Sequence, residues 1–385
     1  MNLMISKLIL GIGLTASLLS NAQAASGGLS FSCTPDQKAV FEPAMAQYLK
    51  DLEIKSEWVV QQTTDGHLLY SLAEPIARTS AVSLAQNPEL DIKEEVLMLP
   101  TIKKGKQRGI LTVSRKEIVM ALLHPGRRTE ASCDIQALKD HVGIRQNTVA
   151  WAERLEWRWP DGGPAEWNKK FWKKGTPITN PVAAFNDAFL QQKKYAIGCY
   201  TATKLVVAQG VLDYYARVRP DAILLKKVVE RLNRDNDPLI DIEPPAMWSF
   251  EKDFNPADAA RSGKLLYLEH SVTPENFVPG DWAYLRNTDD ATNEKTGYEG
   301  SNAIYLGRGK FDDYYNDHNY SYAYLEKLDE VYQWRNDVFS RSRDMDKVKP
   351  LTVRQVRNLG LTPAEGGLVM PYRAVPYFFD QPNLP

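Results

Sequence analysis

Apolar residues recur at helical spacing in the middle of the chain. This pattern predicts one helix over about 182–193, a second over about 200–217 and a third over about 222–233. An apolar stripe along one face indicates that each helix packs that face into a core. Pro244-Pro245 then interrupts the pattern.

Short apolar runs beyond these helices indicate paired strands. A turn at 277–281 leads into a strand at 282–285, and a second strand at 303–306 is followed by hairpin turn chemistry at 307–310. A further helix is predicted near 323–332. This half of the chain is therefore expected to combine helices with an antiparallel sheet.

The N-terminal part of the chain mixes one predicted helix, over 36–50, with short β-rich runs that Gly, Asp and Pro separate. The runs cover 58–62, 68–72, 96–99 and 109–113. Residues 25–150 are therefore predicted to form a small α+β or mostly β N-terminal domain of unknown role.

Tryptophans are concentrated between residues 151 and 180, among Lys, Arg, Pro and Gly. They are Trp151, Trp157, Trp159, Trp167 and Trp172. We interpret this segment as a linker or arm that packs its rings onto a neighbouring domain. A surface for a glycan or a peptide is the alternative, and tryptophan density alone does not decide between them.

Residues 1–24 have the pattern of a cleaved secretory signal peptide. Lys7 precedes a short apolar run at 8–19, and Ala22-Gln23-Ala24 gives the small-x-small motif, so cleavage is expected after Ala24. The apolar run is shorter than the ~20 residues that span a bilayer. We therefore expect a secreted or periplasmic protein without a membrane span.

Charge and cysteine content narrow the possible functions. A net charge of −1 over 385 residues provides no electrostatic footprint for nucleic acid. No Cys/His cluster has the spacing of metal ligands, so no metal is expected. Cys33 and Cys133 lie in polar contexts and are predicted to form a disulfide in an oxidising compartment, which leaves one thiol, Cys199.

Cys199 is the candidate nucleophile because it lies directly before the predicted helix 200–217. The N–H groups and the positive dipole end of a helix favour the thiolate, which is the reactive form of cysteine. The same N–H groups can hold an oxyanion during acyl transfer. A buried, inert cysteine is the alternative.

Three motifs occur along the chain in an order that resembles a known family. They are Tyr195-Ala196-Ile197-Gly198-Cys199-Tyr200-Thr201-Ala202, Pro279-Gly280-Asp281-Trp282-Ala283-Tyr284-Leu285-Arg286-Asn287 and Gly300-Ser301-Asn302-Ala303-Ile304-Tyr305-Leu306-Gly307. Over roughly 181–345 they resemble the bacterial spore-type protein-glutamine γ-glutamyltransferase (transglutaminase) family. Papain-like cell-wall endopeptidases are a related group that shares the Pro-Gly-Asp turn and the strand pair. The order of the motifs carries the resemblance, since each motif alone is weak.

The resemblance implies an α+β protein with a papain-like catalytic domain over 181–350, in which a cysteine helix packs against an antiparallel sheet. It also implies acyl transfer from a glutamine carboxamide, through a Cys199 thioester, to an amine or water, on a protein or peptide substrate and without a cofactor. A peptidoglycan peptide hydrolase of papain-like type and a catalytically silent binding protein on the same fold are the alternatives. Residues 351–385 are predicted to be a C-terminal tail, which from Gly360 onward is rich in proline and glycine and ends in irregular structure.

The sequence departs from the family pattern where a base is needed. Gly198 replaces the glutamate before the cysteine, and Ser301 replaces the dyad glutamate, whose proton-accepting role a hydroxyl cannot take at neutral pH. Three alternatives are open. Glu299 projects toward Cys199 from the same strand face, His318 reaches in from the loop after the hairpin, or the site has no competent base.

Other residues of the motifs are predicted to support the substrate or the fold. Ser301 and Tyr200 are expected at the substrate, where the bulk of Tyr200 narrows the acyl-donor channel. Asn287 is expected either to orient its loop or to contact substrate. Asp281 is predicted to be structural, with its side chain bonded to the backbone two residues on.

Overall fold

The computed structural model describes residues 27–64, 66–160, 165–173, 175–234, 266–269, 276–295, 297–315, 319–339, 344–358 and 369–376. The predicted signal peptide 1–24 and the candidate base His318 lie outside these residues. Within the described segments, no helix is long and apolar enough to cross a membrane.

Runs of strands and runs of helices follow one another along the described chain. The strands are β1 (Gly28–Ser32), β2 (Val59–Thr64), β3 (His67–Leu72), β4 (Glu95–Pro100), β5 (Gln107–Thr112), β6 (Arg128–Ser132), β7 (Trp172–Lys173), β8 (Thr176–Pro177), β9 (Leu266–Glu269), β10 (Trp282–Asn287), β11 (Gly300–Gly307), β12 (Lys310–Asp312), β13 (Tyr322–Ala323) and β14 (Val369–Pro376). The helices are α1 (Pro35–Asp51), α2 (Arg115–Leu122), α3 (Ile135–Ala152), α4 (Pro181–Leu190), α5 (Cys199–Asp213), α6 (Ala222–Arg234), α7 (Asp290–Asn293), α8 (Tyr324–Gln333) and α9 (Val353–Asn358). The predicted α+β class is confirmed.

The N-terminal sheet has the strand order β2–β3–β1–β6 among the described strands, with β1 antiparallel to β3 and parallel to β6. Helix α1 begins at a capping box in which Thr34 and Gln37 each accept the other's backbone N–H. Cys33 and Cys133 directly follow the parallel strands β1 and β6, and their Cα atoms lie 5.2 Å apart. The predicted disulfide between them is confirmed.

The C-terminal sheet has the order β13–β12–β11–β10–β14–β9 among the described strands, and neighbouring strands are antiparallel. Strand β14 lies between β10 and β9, within the Pro- and Gly-rich tail that the sequence predicts to end in irregular structure. Residues 377–385, the end of that tail, lie outside the described segments. Pro371 and Pro376 occur within β14, and proline normally argues against a central strand, which explains why the sequence pattern does not indicate it.

Helix α5 lies at the centre of the protein and packs against α3, α4 and β11. All of its residues are buried, so the helix is enclosed on every side rather than along one apolar stripe. Gly210 permits the close approach of α3, since a Cβ there would lie 2.0 Å from Thr148 Oγ1. The chain continues from α5 into a π-helical turn over Tyr214–Val218.

The tryptophan-rich segment packs into the core, as interpreted from the sequence. Trp151, Trp157 and Trp172 are buried, and Trp159 and Trp167 pack against the same cluster. The backbone N–H of Trp157 donates to the Tyr314 carbonyl at 3.1 Å, and the N–H of Ile197 donates to the Arg158 carbonyl at 2.9 Å. The tryptophan-rich arm is therefore hydrogen-bonded to the backbone just before Cys199.

One hydrophobic cluster includes core residues from β1 through α3, α4 and α5 to the region after β12. The N-terminal sheet, the tryptophan arm and the cysteine helix thus share packed side chains. The sequence-based division at residues 150 and 180 stays a prediction. Helix α5, which carries the candidate nucleophile, is therefore supported from both sides of that division.

Candidate active site

Cys199 is the first residue of α5, and Gly198 precedes it as a cap without a side-chain hydrogen bond. The sulfur therefore lies at the helix end where the first backbone N–H groups lack intrahelical acceptors. The Thr203 hydroxyl donates to the Cys199 carbonyl at 2.8 Å and fixes this first turn. Cys199 is only 9 % exposed, so little water screens its sulfur. The electrostatic effect of the helix dipole on the thiolate is therefore stronger than it would be in solvent.

The side-chain amide of Asn302, on β11, contacts the sulfur. Its Nδ2 lies 3.1 Å from Cys199 Sγ, and Trp282 Nε1 donates to its Oδ1 at 2.8 Å. The indole N–H of Trp282 can only donate, so the oxygen of the Asn302 amide must point toward it. The NH₂ group of the amide then points toward the sulfur. Asn302 can stabilise a thiolate but cannot accept its proton. Sequence reasoning missed this residue, although it directly follows Ser301 in the third motif.

Tyr314 lies behind the first turn of α5. Its hydroxyl is 2.6 Å from Thr203 Oγ1, which in turn donates to the Cys199 carbonyl. Burial raises the pKa of Tyr314 well above its ordinary value despite the hydrogen bond with Thr203, and the charges of Asp312 and Cys199 add to the rise. Tyr314 therefore stays a neutral phenol and acts as a hydrogen-bonding group, not as a base.

A small pocket of about 30 Å³ lies beside Cys199. Its aromatic wall consists of Trp159, Tyr298, Tyr315 and Trp334. Its polar wall consists of Ser301, Asp313 and Lys327. The structure thus places Cys199 and Ser301 in one pocket wall and adds charged residues that the sequence reasoning did not single out. Within the described segments, no group of three or more His, Cys, Asp or Glu side chains is arranged to hold a metal ion.

Buried charges form the polar wall of this pocket. Lys327, on α8, donates to Asp313 Oδ2 at 2.6 Å and lies 2.8 Å from Glu330 Oε2. The three side chains are at most 8 % exposed. Burial lowers the pKa of Lys327, but the two carboxylates outweigh this effect and the net direction is upward. The lysine therefore keeps its proton.

Glu299 lies directly before β11, and its carboxylate is engaged within its own turn. The N–H of Gly297 donates to Glu299 Oε2 at 2.9 Å, and the N–H of Asn287 donates to its carbonyl at 2.9 Å. Burial raises the pKa of Glu299, against the hydrogen bonds from its own N–H and from Gly297. A raised pKa suits a general base. Its role toward Cys199 stays a prediction.

Tyr200 and Asn287 are buried and support the site from behind. The Tyr200 ring packs on Trp282 with centroids 5.3 Å apart, so it braces the indole that orients Asn302. The Asn287 amide donates to the Tyr298 carbonyl at 3.0 Å inside the loop between β10 and β11. Of the two roles predicted for Asn287, these contacts support orientation of the loop.

Asp281 is structural, as predicted, but its partners differ from the expected ones. Its Oδ2 accepts from the N–H of Val278, three residues earlier rather than two later, at 2.9 Å. Arg145, on α3, approaches Oδ1 at 2.8 Å, and Arg127 approaches Oδ2 at 3.3 Å. The carboxylate thus fixes the turn before β10 to the N-terminal part of the fold.

A cysteine at the start of a buried helix, facing a side chain of an antiparallel sheet, defines a site of papain-like design. A family model described as protein-glutamine gamma-glutamyltransferase matches residues 102–333, more than half of the chain, and the protein belongs to this family. It is also similar to a solved transglutaminase from Geobacillus stearothermophilus without its C-terminal extension, at 18 % identity, with a TM-score of 0.39, over 64 % of this chain and 97 % of that chain. A search of curated proteins finds no match.

Proposed function

We propose that this protein is a transglutaminase that transfers acyl groups through Cys199. The carrying observation is the position of Sγ at the start of α5, 3.1 Å from Asn302 Nδ2 and beside the pocket. Membership of the protein-glutamine gamma-glutamyltransferase family supports acyltransferase chemistry. The proposed donor is a glutamine side chain of a protein or peptide, and the acceptor is an amine or water.

In the proposed reaction the Cys199 thiolate attacks the carboxamide carbon of the donor. Backbone N–H groups at the start of α5 hold the oxyanion of the tetrahedral intermediate. Breakdown of this intermediate releases ammonia and leaves a thioester on Sγ. An amine or water then attacks the thioester carbon, and the sulfur leaves. The Asn302 amide supports both half-reactions because it donates to the sulfur when the sulfur is charged.

The reaction is proposed to take place outside the cytoplasm. The signal-peptide pattern of residues 1–24 supports export. The disulfide between Cys33 and Cys133 is in keeping with an oxidising compartment, since disulfides are rare where thiols are kept reduced.

The test is incorporation of a fluorescent primary amine into a glutamine-bearing protein such as casein, detected in a denaturing gel. We expect the wild-type protein to produce labelled casein and Cys199→Ala to produce none, because no other group can form the thioester. Ser301→Ala serves as the matched control in the pocket wall and should keep more than about a tenth of the activity, since a hydroxyl is not the base.

Two other outcomes contradict the proposal. Release of soluble peptide fragments from peptidoglycan, without amine incorporation, identifies a cell-wall hydrolase. A folded protein that shows neither reaction is a binding protein on this fold.

A further inference from the structure

The family pattern places a carboxylate at residue 301, where this chain has serine. Ser301 is buried in the wall of the Cys199 pocket. The position of the family's carboxylate is therefore in the pocket wall, but its side chain here is a hydroxyl. The neighbouring strand supplies a carboxylate close by. Asp313 directly follows β12 and, like Ser301, lines the pocket beside Cys199.

Among the described carboxylates, Asp313 is the one that lines the pocket with Cys199. Glu330 contacts the same lysine without lining the pocket, and Glu299 is held by Gly297. The pocket volume of about 30 Å³ is close to the volume of one water molecule. Cys199 and Asp313 both line this pocket, and a single water in it is enough to relay a proton.

The charge of the cluster gives Asp313 a reason to take up a proton. Asp313 and Glu330 both contact the ammonium of Lys327, so two buried carboxylates lie close to each other. A proton on one of them relieves their mutual repulsion. The negative charge then resides on the sulfur of Cys199, where the helix end and the Asn302 amide stabilise it.

We propose that Asp313, positioned by Lys327, is the general base and acid for Cys199, and this inference rests on the proposed function. The Sγ–H proton moves to the Asp313 carboxylate as the sulfur attacks the carboxamide carbon. Asp313 returns that proton to the nitrogen that leaves as ammonia. In the second half-reaction the attacking amine gives its proton to Asp313, which passes it to Sγ when the carbon–sulfur bond breaks.

The first readout is the rate at which iodoacetamide alkylates Cys199 as a function of pH, which does not depend on acyl transfer. We expect Asp313→Asn to lower the apparent thiol pKa by about 1 unit or more, because a negative charge facing the sulfur is removed. Glu330→Gln is the matched control, since it removes a carboxylate from the same lysine outside the pocket wall. We expect its shift to be less than half as large.

The second readout is amine incorporation into casein. We expect Asp313→Asn to reduce it by about 100-fold or more, the scale of a lost general base, and by more than Glu299→Gln, which removes the alternative base. Asp313→Glu keeps the charge and displaces the carboxylate, so incorporation should fall by about 10-fold while the alkylation profile stays close to that of the wild type.

An Asp313→Asn protein whose alkylation profile equals that of the wild type overturns the inference, whether or not the wild type transfers amines. A loss of incorporation in Glu299→Gln, with Asp313→Asn active, assigns the base to Glu299 and also overturns it. If the wild type transfers no amine but Asp313→Asn shifts the thiol pKa, the proposed function fails while the coupling of Asp313 to Cys199 holds. If Asp313→Asn does not fold, unchanged incorporation in Asp313→Glu overturns the inference.

Discussion

The side-chain amide of Asn302 lies 3.1 Å from the reactive sulfur, and the indole N–H of Trp282 donates to its oxygen and orients it. A hydrogen bond to a charged group contributes about 1.5–3 kcal/mol, and one pKa unit corresponds to about 1.4 kcal/mol. We therefore expect Asn302→Ala to raise the thiol pKa of Cys199 by about 1–2 units, measured by the pH dependence of iodoacetamide alkylation.

Trp282→Phe tests the orientation of the Asn302 amide separately from its contact with the sulfur. It keeps the ring that packs on Tyr200 but removes the donor that holds Asn302 Oδ1. We expect a pKa shift in the same direction as that of Asn302→Ala but smaller. An unchanged alkylation profile in Asn302→Ala would show that the amide does not stabilise the thiolate.

The site residues that the sequence identified are those whose role is local. Cys199 was predictable because a residue at a helix N-terminus meets N–H groups whatever the remainder of the fold does. The contact of Asn302 depends on how β10 pairs with β11, and the place of Asp313 depends on how β12 pairs with β11. The sequence predicts the paired strands and the hairpin turn at 307–310 but not the register of either pairing, so both residues required the structure.

At the scale of elements, Asp281 connects the turn before β10 to α3. Removing one partner of a buried ion pair leaves an uncompensated charge and costs about 3–5 kcal/mol. We expect Asp281→Asn to lower the free energy of unfolding by about that amount, measured by urea denaturation, because Arg145 and Arg127 both face this carboxylate. Asp290→Asn, at an exposed position of α7, is the control and should stay within about 0.5 kcal/mol of the wild type. A loss below about 1 kcal/mol for Asp281→Asn would contradict this role.

Glu117 connects α2 to the turn between β11 and β12. Its Oε1 accepts the backbone N–H of Arg308 at 2.5 Å, and burial raises the pKa of Glu117 to about 7 from 4.5, against the hydrogen bond and charge of Arg308. Because its folded pKa is raised, the contribution of Glu117 to the unfolding free energy is largest below pH ~4.5 and is lost as the pH increases to about 7. We expect this fall to be about 3 kcal/mol for Glu117.

Glu117→Gln should remove that part of the pH dependence, measured by urea denaturation at several pH values between 4 and 8. Glu153 and Glu299 also have raised pKa values because of burial, so a smaller fall should remain. The exposed Glu57→Gln should leave the wild-type profile intact. If the wild type and Glu117→Gln show parallel profiles of unfolding free energy against pH, the Glu117 carboxyl does not titrate between pH 4 and 8 in the folded protein.

Element boundaries followed the sequence pattern closely where periodicity was strong. Helices were predicted over 200–217 and 323–332, and the structure has α5 with its π-helical continuation and α8 at those places. Two features lay beyond the pattern. The complete burial of α5 depends on neighbours distant in sequence, and β14 is held in place by β10 and β9 despite its prolines.

At the scale of the whole molecule, helix α3 links the disulfide to the active site through its packing against α5. Cys133 lies just before α3, and α3 packs along α5, which carries Cys199. The region around the disulfide and the reactive thiol are thus parts of one packed body, although they come from different predicted domains. Loss of the disulfide should accordingly affect the stability of the body more than the chemistry of the sulfur.

The double variant Cys33→Ser/Cys133→Ser tests that separation. The bridge joins residues 100 apart in sequence, and the chain-entropy relation gives about 4–5 kcal/mol for a closed loop of this length. We expect the free energy of unfolding to fall by about that amount in guanidinium denaturation. Cys199, then the sole cysteine, should be alkylated at pH 7 within about twofold of the wild-type rate, since no contact at the sulfur is changed. Reduction of the wild type should lower stability equally. A large drop in alkylation of the still folded double variant would instead mean that the N-terminal sheet helps to hold the start of α5 in its reactive position.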